Sequence, residues 1–121
     1  MTYYLISFND GAMTFPEEDL PAVGEAAHAV IREAKAAGAF VFAGGFQSPD
    51  KYKVVDTDGT VTGGPYPEAI GGFAIVDVLS REEALAWAAK IALACRCAQQ
   101  VQELMPDPEQ DAMLRPSDRR R

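Results

Sequence analysis

Within the first 45 residues the hydrophobic period changes twice, from two to about 3.6 and back, and this restricts the chain to folds that interleave strands with helices. Over Thr2 to Phe8, Tyr4, Ile6 and Phe8 fall on one face of a strand, and Tyr3, Leu5 and Ser7 on the other. Both faces are apolar enough for a central strand, which Asn9-Asp10-Gly11 ends with turn-tolerant residues. From Pro16 onward, Leu20, Val23, Ala27, Val30, Ile31 and Ala34 recur at three- and four-residue steps, the stripe of an amphipathic helix. Acids at Glu17, Glu18 and Asp19 suit its N-terminal dipole and Gly38 suits its end, so a helix is expected from Glu17 to Ala37. Phe40 to Ala43, bounded by Gly38 and Gly44-Gly45, then reads as a buried strand.

The second half repeats the alternation. Tyr52 to Val55 reads as a strand, and Asp58-Gly59 before Val61 marks a hairpin, because those residues accept the positive φ of a tight turn. Phe73 to Val78 is apolar enough for another central strand. Ser80-Arg81-Glu82-Glu83 fits a capping box, and Ala84, Trp87, Ala88, Ile91 and Cys95 follow at helical spacing, giving a helix to about Ala94. A half-exposed strand near Ala98 to Met105 comes last, and Pro106 and Pro108 end ordered structure, leaving residues 106–121 as a tail after a domain over 1–105.

The order strand, helix, strand, hairpin, strand, helix, strand is a ferredoxin-like split βαβ plan with an added hairpin. It implies an α+β fold with an antiparallel sheet and two helices on one face. The other face, with Tyr3, Leu5 and alternate residues of Phe73 to Val78, would leave a broad apolar surface in water. Packing two sheets face to face removes it, so a homodimer with a barrel-like α+β interior is expected.

Charge narrows the partners. The net charge of −7 lies wholly on residues 1–105, because the four acids after Pro106 are matched by four arginines. Such a body repels phosphate backbones and anionic lipid, which argues against direct nucleic-acid or membrane-surface binding. No apolar run approaches a membrane span and the N-terminus lacks a signal-like pattern, so a cytosolic location is expected. Cys95 and Cys97 form a lone C-x-C, read as small thiols rather than a metal or redox pair. With no P-loop, dinucleotide fingerprint or metal-ligand cluster in the sequence, no cofactor and no metal are expected.

Several stretches together resemble the YCII-related family in its DGPF-type branch: Met1-Thr2-Tyr3-Tyr4-Leu5-Ile6, Gly63-Gly64-Pro65-Tyr66, Gly71-Gly72-Phe73, and Asp77-Val78 leading into Ser80 to Ala88. The resemblance covers about residues 1–105. Gly63 stands where that branch usually has aspartate, Tyr66 where it has phenylalanine, and Pro67 to Ile70 is shorter than usual. The resemblance implies a dimeric ferredoxin-like α+β barrel. It also implies either a small enzyme using a histidine and an aspartate or a regulatory protein linked to sigma factors of the extracytoplasmic type, with a sigma factor as partner.

His28 is the only histidine and lies a quarter-turn from the centre of the first helix stripe, where a general base could face a cleft between helix and sheet. Asp50 and Asp77 are the carboxylates that could orient it; the plainer readings are an interface histidine, a turn aspartate and a helix-start aspartate. Gly44, Gly45, Gly64, Pro65 and Tyr66 could line one ligand pocket, since glycine permits close approach and tyrosine adds a ring with a polar tip; glycine-rich turns without a ligand are the alternative. Two functions stay open: a module that binds or senses an unknown small molecule, and a cofactor-free lyase, isomerase or hydrolase with His28 moving a proton.

Overall fold

A computed structural model of the chain describes residues 2–47, 52–63 and 69–114. Its main sheet has four antiparallel strands in the order β2-β5-β1-β6: β1 Thr2–Asn9, β2 Phe40–Gly45, β5 Ile70–Val78 and β6 Gln100–Glu103. Strands β3 (Lys53–Val55) and β4 (Val61–Gly63) pair as a separate hairpin. Helix α1 (Leu20–Ala36) joins β1 to β2 and α2 (Arg81–Cys95) joins β5 to β6, and the two helices pack against each other. This is the ferredoxin-like α+β arrangement expected from the alternating periods.

The two central strands carry the core because their sequences are apolar at every second position on the helix side. Register places Tyr4 opposite Val76 and Ile6 opposite Ala74 on that face. Tyr4, Ile6, Ala74, Val76 and Val78 are buried there beneath Ala84 and Ala88 of α2. Small alanines on α2 let the helix sit close to the sheet, and Ile6, Val76 and Val78 are fully enclosed.

Local signals act where the sequence places them. The backbone N–H of Glu83 donates to Ser80 Oγ at 3.2 Å, closing one half of the capping box. Gly59 sits at φ +88° in the hairpin turn, and the N–H of Thr60 donates to the Asp58 carboxylate at 2.9 Å. Gly38 takes φ +78° just past α1, as a helix-ending glycine does.

Two boundaries differ from expectation. The first helix opens as a single 3-10 turn over Glu17–Asp19 before α1 proper, whose first turn carries Pro21; Leu20, expected in the buried stripe, is 56% exposed at that junction. The segment after Pro106 continues in ordered structure as far as Leu114. Pro108–Leu114 forms a short helix α3, and the Tyr3 hydroxyl donates to Asp111, fastening the helix near the start of β1. A proline at the first position of a helix loses nothing, since that N–H has no intrahelical partner anyway. No helix among the described residues is long and apolar enough to cross a membrane.

Candidate functional site

The wall of the site begins with Phe8, the last large apolar residue of β1. Its ring lies against Gly71 and Gly72 of β5 so closely that a Cβ added at either glycine would fall 2.8 or 2.7 Å from it. The two glycines are therefore the seat of an aromatic ring, and any side chain there would displace it. Phe8 cannot lie flat against the sheet otherwise.

Between this seat and the helices is a cavity of about 300 Å³. The sheet contributes Phe8, Phe40, Ala43, Gly44, Gly45, Phe73 and Ala74. Helix α1 contributes Ala27, His28 and Ile31, α2 contributes Ile91 and Cys95, and the connecting segments add Met13 and Gln99. Its volume is at the lower end of the range for small-molecule sites. Among these described lining residues there is no aspartate, glutamate, lysine or arginine, so the polar side chains are His28, Gln99 and the Cys95 thiol.

The far end of α2 is held in place from two directions. Arg96 adopts the left-handed conformation at φ 59°, which ends the helix between the two cysteines. Its guanidinium bonds Asp19 at 2.8 Å and lies 5.8 Å from the centre of the Phe15 ring, tying the segment that carries Met13 to the end of α2. Beyond it, the Gln99 side-chain amide donates to the Cys97 carbonyl at 3.2 Å. Both cysteines are free thiols; burial pushes the Cys95 thiol above its ordinary range, the neighbouring Cys97 adding to this, and burial does the same for Cys97 against a lowering contribution from Gln99.

Three of the residues singled out from the sequence meet here: His28, Gly44 and Gly45 all line the cavity, although His28 is exposed as a whole. Asp77 is not among the lining residues. It is buried, 4% exposed, on β5; register sets it opposite Tyr3, on the sheet face turned away from Tyr4 and Ile6, and its N–H donates to the Ala39 carbonyl. Asp50, Gly64, Pro65 and Tyr66 lie outside the described residues. Sequence reasoning passed over Phe8, Cys95 and Gln99. The signal for Phe8 was an aromatic residue at a strand end matched elsewhere by two adjacent glycines, visible only once the two strands are paired.

Among the described residues no cluster of three or more histidine, cysteine, aspartate or glutamate side chains is placed to hold a metal ion. What the site offers chemically is an apolar pocket with an imidazole, an amide and a thiol on its wall.

Comparison with known proteins agrees with the fold. The 5-chloro-2-hydroxyhydroquinone dehydrochlorinase TftG from Burkholderia phenoliruptrix AC1100, solved in complex with 2,5-dihydroxybenzoquinone, aligns over 90% of this chain and 98% of its own with a TM-score of 0.52. At 14% identity that similarity speaks for the fold alone. No protein of curated function matches the sequence. The sequence profile of the YCII-related domain matches residues 1–99, which includes every strand of the main sheet except β6, and both of its packed helices. The chain belongs to the YCII-related family.

Proposed function

We propose that this chain is a small-molecule binding or sensing module that works as a homodimer, with the cavity between α1, α2 and the sheet as its ligand site. The observation that carries the reading is that His28 and the Gly44-Gly45 pair, which come from different elements, line the same apolar pocket. Pockets of this kind, mostly apolar with a few convergent polar groups, are where small ligands bind. TftG, of the same fold, is named for an enzyme acting on a substituted ring and holds a ring compound. A homodimer is supported by the sheet face away from the helices, where Phe42 is 61% exposed and Phe46 51%. A link to sigma-factor regulation, in the DGPF-type branch, is the biological setting of this reading, and a cytoplasmic location goes with it.

The test is a titration. Ligand recovered from the protein purified from its own cells and identified by mass spectrometry is titrated against the native chain and against Gly45→Leu. A Cβ at Gly45 has its nearest neighbour, the Gly71 carbonyl, at 3.9 Å, so a leucine there fills the cavity without striking the backbone. Binding lost in the variant supports the site; binding unchanged overturns it.

The enzyme alternative is favoured by one observation, the placement of the only histidine on the cavity wall. In that reading His28 is the general base of a cofactor-free lyase, isomerase or hydrolase, with Asp50 or Asp77 orienting it. His28→Ala distinguishes the two: turnover of the bound compound that disappears while binding persists makes the chain an enzyme, and binding with no turnover in the native chain makes it a sensor.

A further inference from the structure

The segment that joins β1 to the first helical turn lines one side of the cavity through Met13, and side chains rather than backbone hold it there. Its two ends are fixed: the Asp10 N–H donates to the Ala69 carbonyl and the Asp19 N–H to the Pro16 carbonyl, both at 2.9 Å. Between them, Met13, Thr14 and Phe15 make no hydrogen bond with any described residue. Gly11, at φ +82°, gives the near end a turn that can pivot. Backbone secured so lightly opens at far lower cost than the whole chain unfolds.

Resting on the reading that the cavity is a ligand site, we infer that residues 11–16 form a strap across it. Arg96 is the positioning residue that keeps the strap closed, by gripping Asp19 and Phe15.

Two features of Arg96 separate it from a residue that merely ends a helix. It takes the left-handed conformation, φ 59° and ψ 36°, which strains an L-residue and is where glycine commonly ends a helix. Arginine keeps that strain and supplies a side chain that reaches the strap: its guanidinium bonds Asp19 at 2.8 Å and lies 5.8 Å from the centre of the Phe15 ring. An observed backbone outlier of this kind is a legitimate starting point for a functional argument.

Neither contact props up the fold as a whole. The Arg96 side chain is 48% exposed and that of Asp19 37%, a setting in which an ion pair adds little to overall stability. Asp19 has no capping duty either, since its side chain makes no hydrogen bond to the start of α1. Locally the balance differs, because the two contacts act on a few residues that little else secures. When the strap lifts, Met13 leaves the cavity wall and the lining behind it, Cys95 included, meets solvent.

Cys95 therefore reports the opening whatever the ligand is. The experiment follows alkylation of the full chain by N-ethylmaleimide at about pH 8, in a Cys97→Ala background, by mass spectrometry. Arg96→Gly is expected to speed labelling of Cys95 about five-fold or more while the urea midpoint stays level or rises, because the strain is relieved as the strap is freed. Global unfolding does not give that pair of results. Electrostatics does not either, since removing a cation near a thiol disfavours the reactive thiolate. Asp19→Asn, which leaves the backbone strain in place, is expected to speed labelling too, yet to add less than about two-fold on top of Arg96→Gly. Arg96→Lys, which keeps the charge, should label at a rate between the native chain and Arg96→Gly. The latch is overturned by Arg96→Gly labelling within about two-fold of native, by full additivity with Asp19→Asn, or by acceleration that comes with a lower urea midpoint in both variants. The ligand reading is judged separately by Gly45→Leu: if labelling behaves as expected while that variant binds the recovered ligand undiminished, the strap stands and the ligand site falls.

Discussion

The two faces of the four-stranded sheet are made by the same strands, yet they reach different ends. On the helix face Tyr4 and Ile6 of β1 and Ala74, Val76 and Val78 of β5 disappear from water, and Ile6 and Val78 are wholly enclosed. On the other face the partners by register are Tyr3 with Asp77, Leu5 with Ile75 and Ser7 with Phe73. Ser7 and Asp77 are buried there while Leu5, Phe73 and Ile75 are only half-buried. A strand buried on one side reads as alternating apolar and polar; these strands are apolar on both sides, so the second face carries surface meant for contact. The helix face makes the core and the cavity, and the open face is the one that the proposed homodimer would cover.

The largest expected effect separates neighbours on β1. Ile6→Ala should lower the free energy of unfolding by about 2–5 kcal/mol, the range for emptying a fully buried aliphatic site. Leu5→Ala, one residue earlier and half-buried on the opposite face, should cost clearly less in the same urea titration at low protein concentration. Equal losses at the two positions would mean that both faces are closed within a single chain.

Next in size is the glycine seat. Gly72→Ala puts a methyl 2.7 Å from the Phe8 ring and 3.2 Å from the Gly44 carbonyl, the second of which is backbone and cannot swing aside. Overpacking of this kind should cost about 1–3 kcal/mol. Pairing it with Phe8→Leu, whose smaller side chain vacates the seat, should recover part of that loss; additive losses would show that the ring and the glycines are not coupled.

A smaller change in stability but a larger one in assembly is expected on the open face. Phe42→Glu alters a side chain that is 61% exposed, so the isolated chain should keep its stability to within about 0.5 kcal/mol. Light scattering after size-exclusion chromatography should show a dimer for the native chain and a monomer for the variant, because a carboxylate within a sheet-to-sheet contact would be buried without a cation. A native chain that elutes as a monomer at micromolar concentration breaks the contrast between the faces.

How much of this could be read from residues alone depends on the range over which each feature is determined. Strands and helices were legible because period is a local property: Tyr4, Ile6 and Phe8 declare a face, and Ser80 with Glu83 declares a helix start. His28 and Gly44-Gly45 could be named as candidates from chemistry and flexibility. The cavity itself could not, since it depends on Phe8 meeting Gly71-Gly72, far apart in the chain, a consequence of strand register. The side of the sheet on which Asp77 lies is not legible for the same reason: only pairing with Tyr3 reveals which face of β5 that residue occupies. Helix α3 is not legible in the tail because Pro108 reads as a terminator, although proline ends a helix from within and begins one at its first position.

The smallest effect concerns pH and again contrasts a residue facing the cavity with one beyond it. Cys95 is buried at the end of α2 and Cys97 is partly buried outside it, and burial raises both thiols. A thiol is neutral when protonated, so a raised value in the folded chain means that the unfolded chain releases its proton first as pH climbs. Stability is therefore untouched by these groups in the neutral range and should decline above about pH 8.5, where an ordinary thiol ionises, with a slope of at most about 1.4 kcal/mol per pH unit for each thiol. The decline levels off once the folded thiol ionises too. Cys95 is the more enclosed of the two, so Cys95→Ala should remove more of the alkaline decline than Cys97→Ala when urea titrations at pH values across that range are compared. A steeper flattening from Cys97→Ala would mean that the cavity end of α2 is wetter than its packing implies, and would place the thiol facing the ligand site in water rather than in an apolar wall.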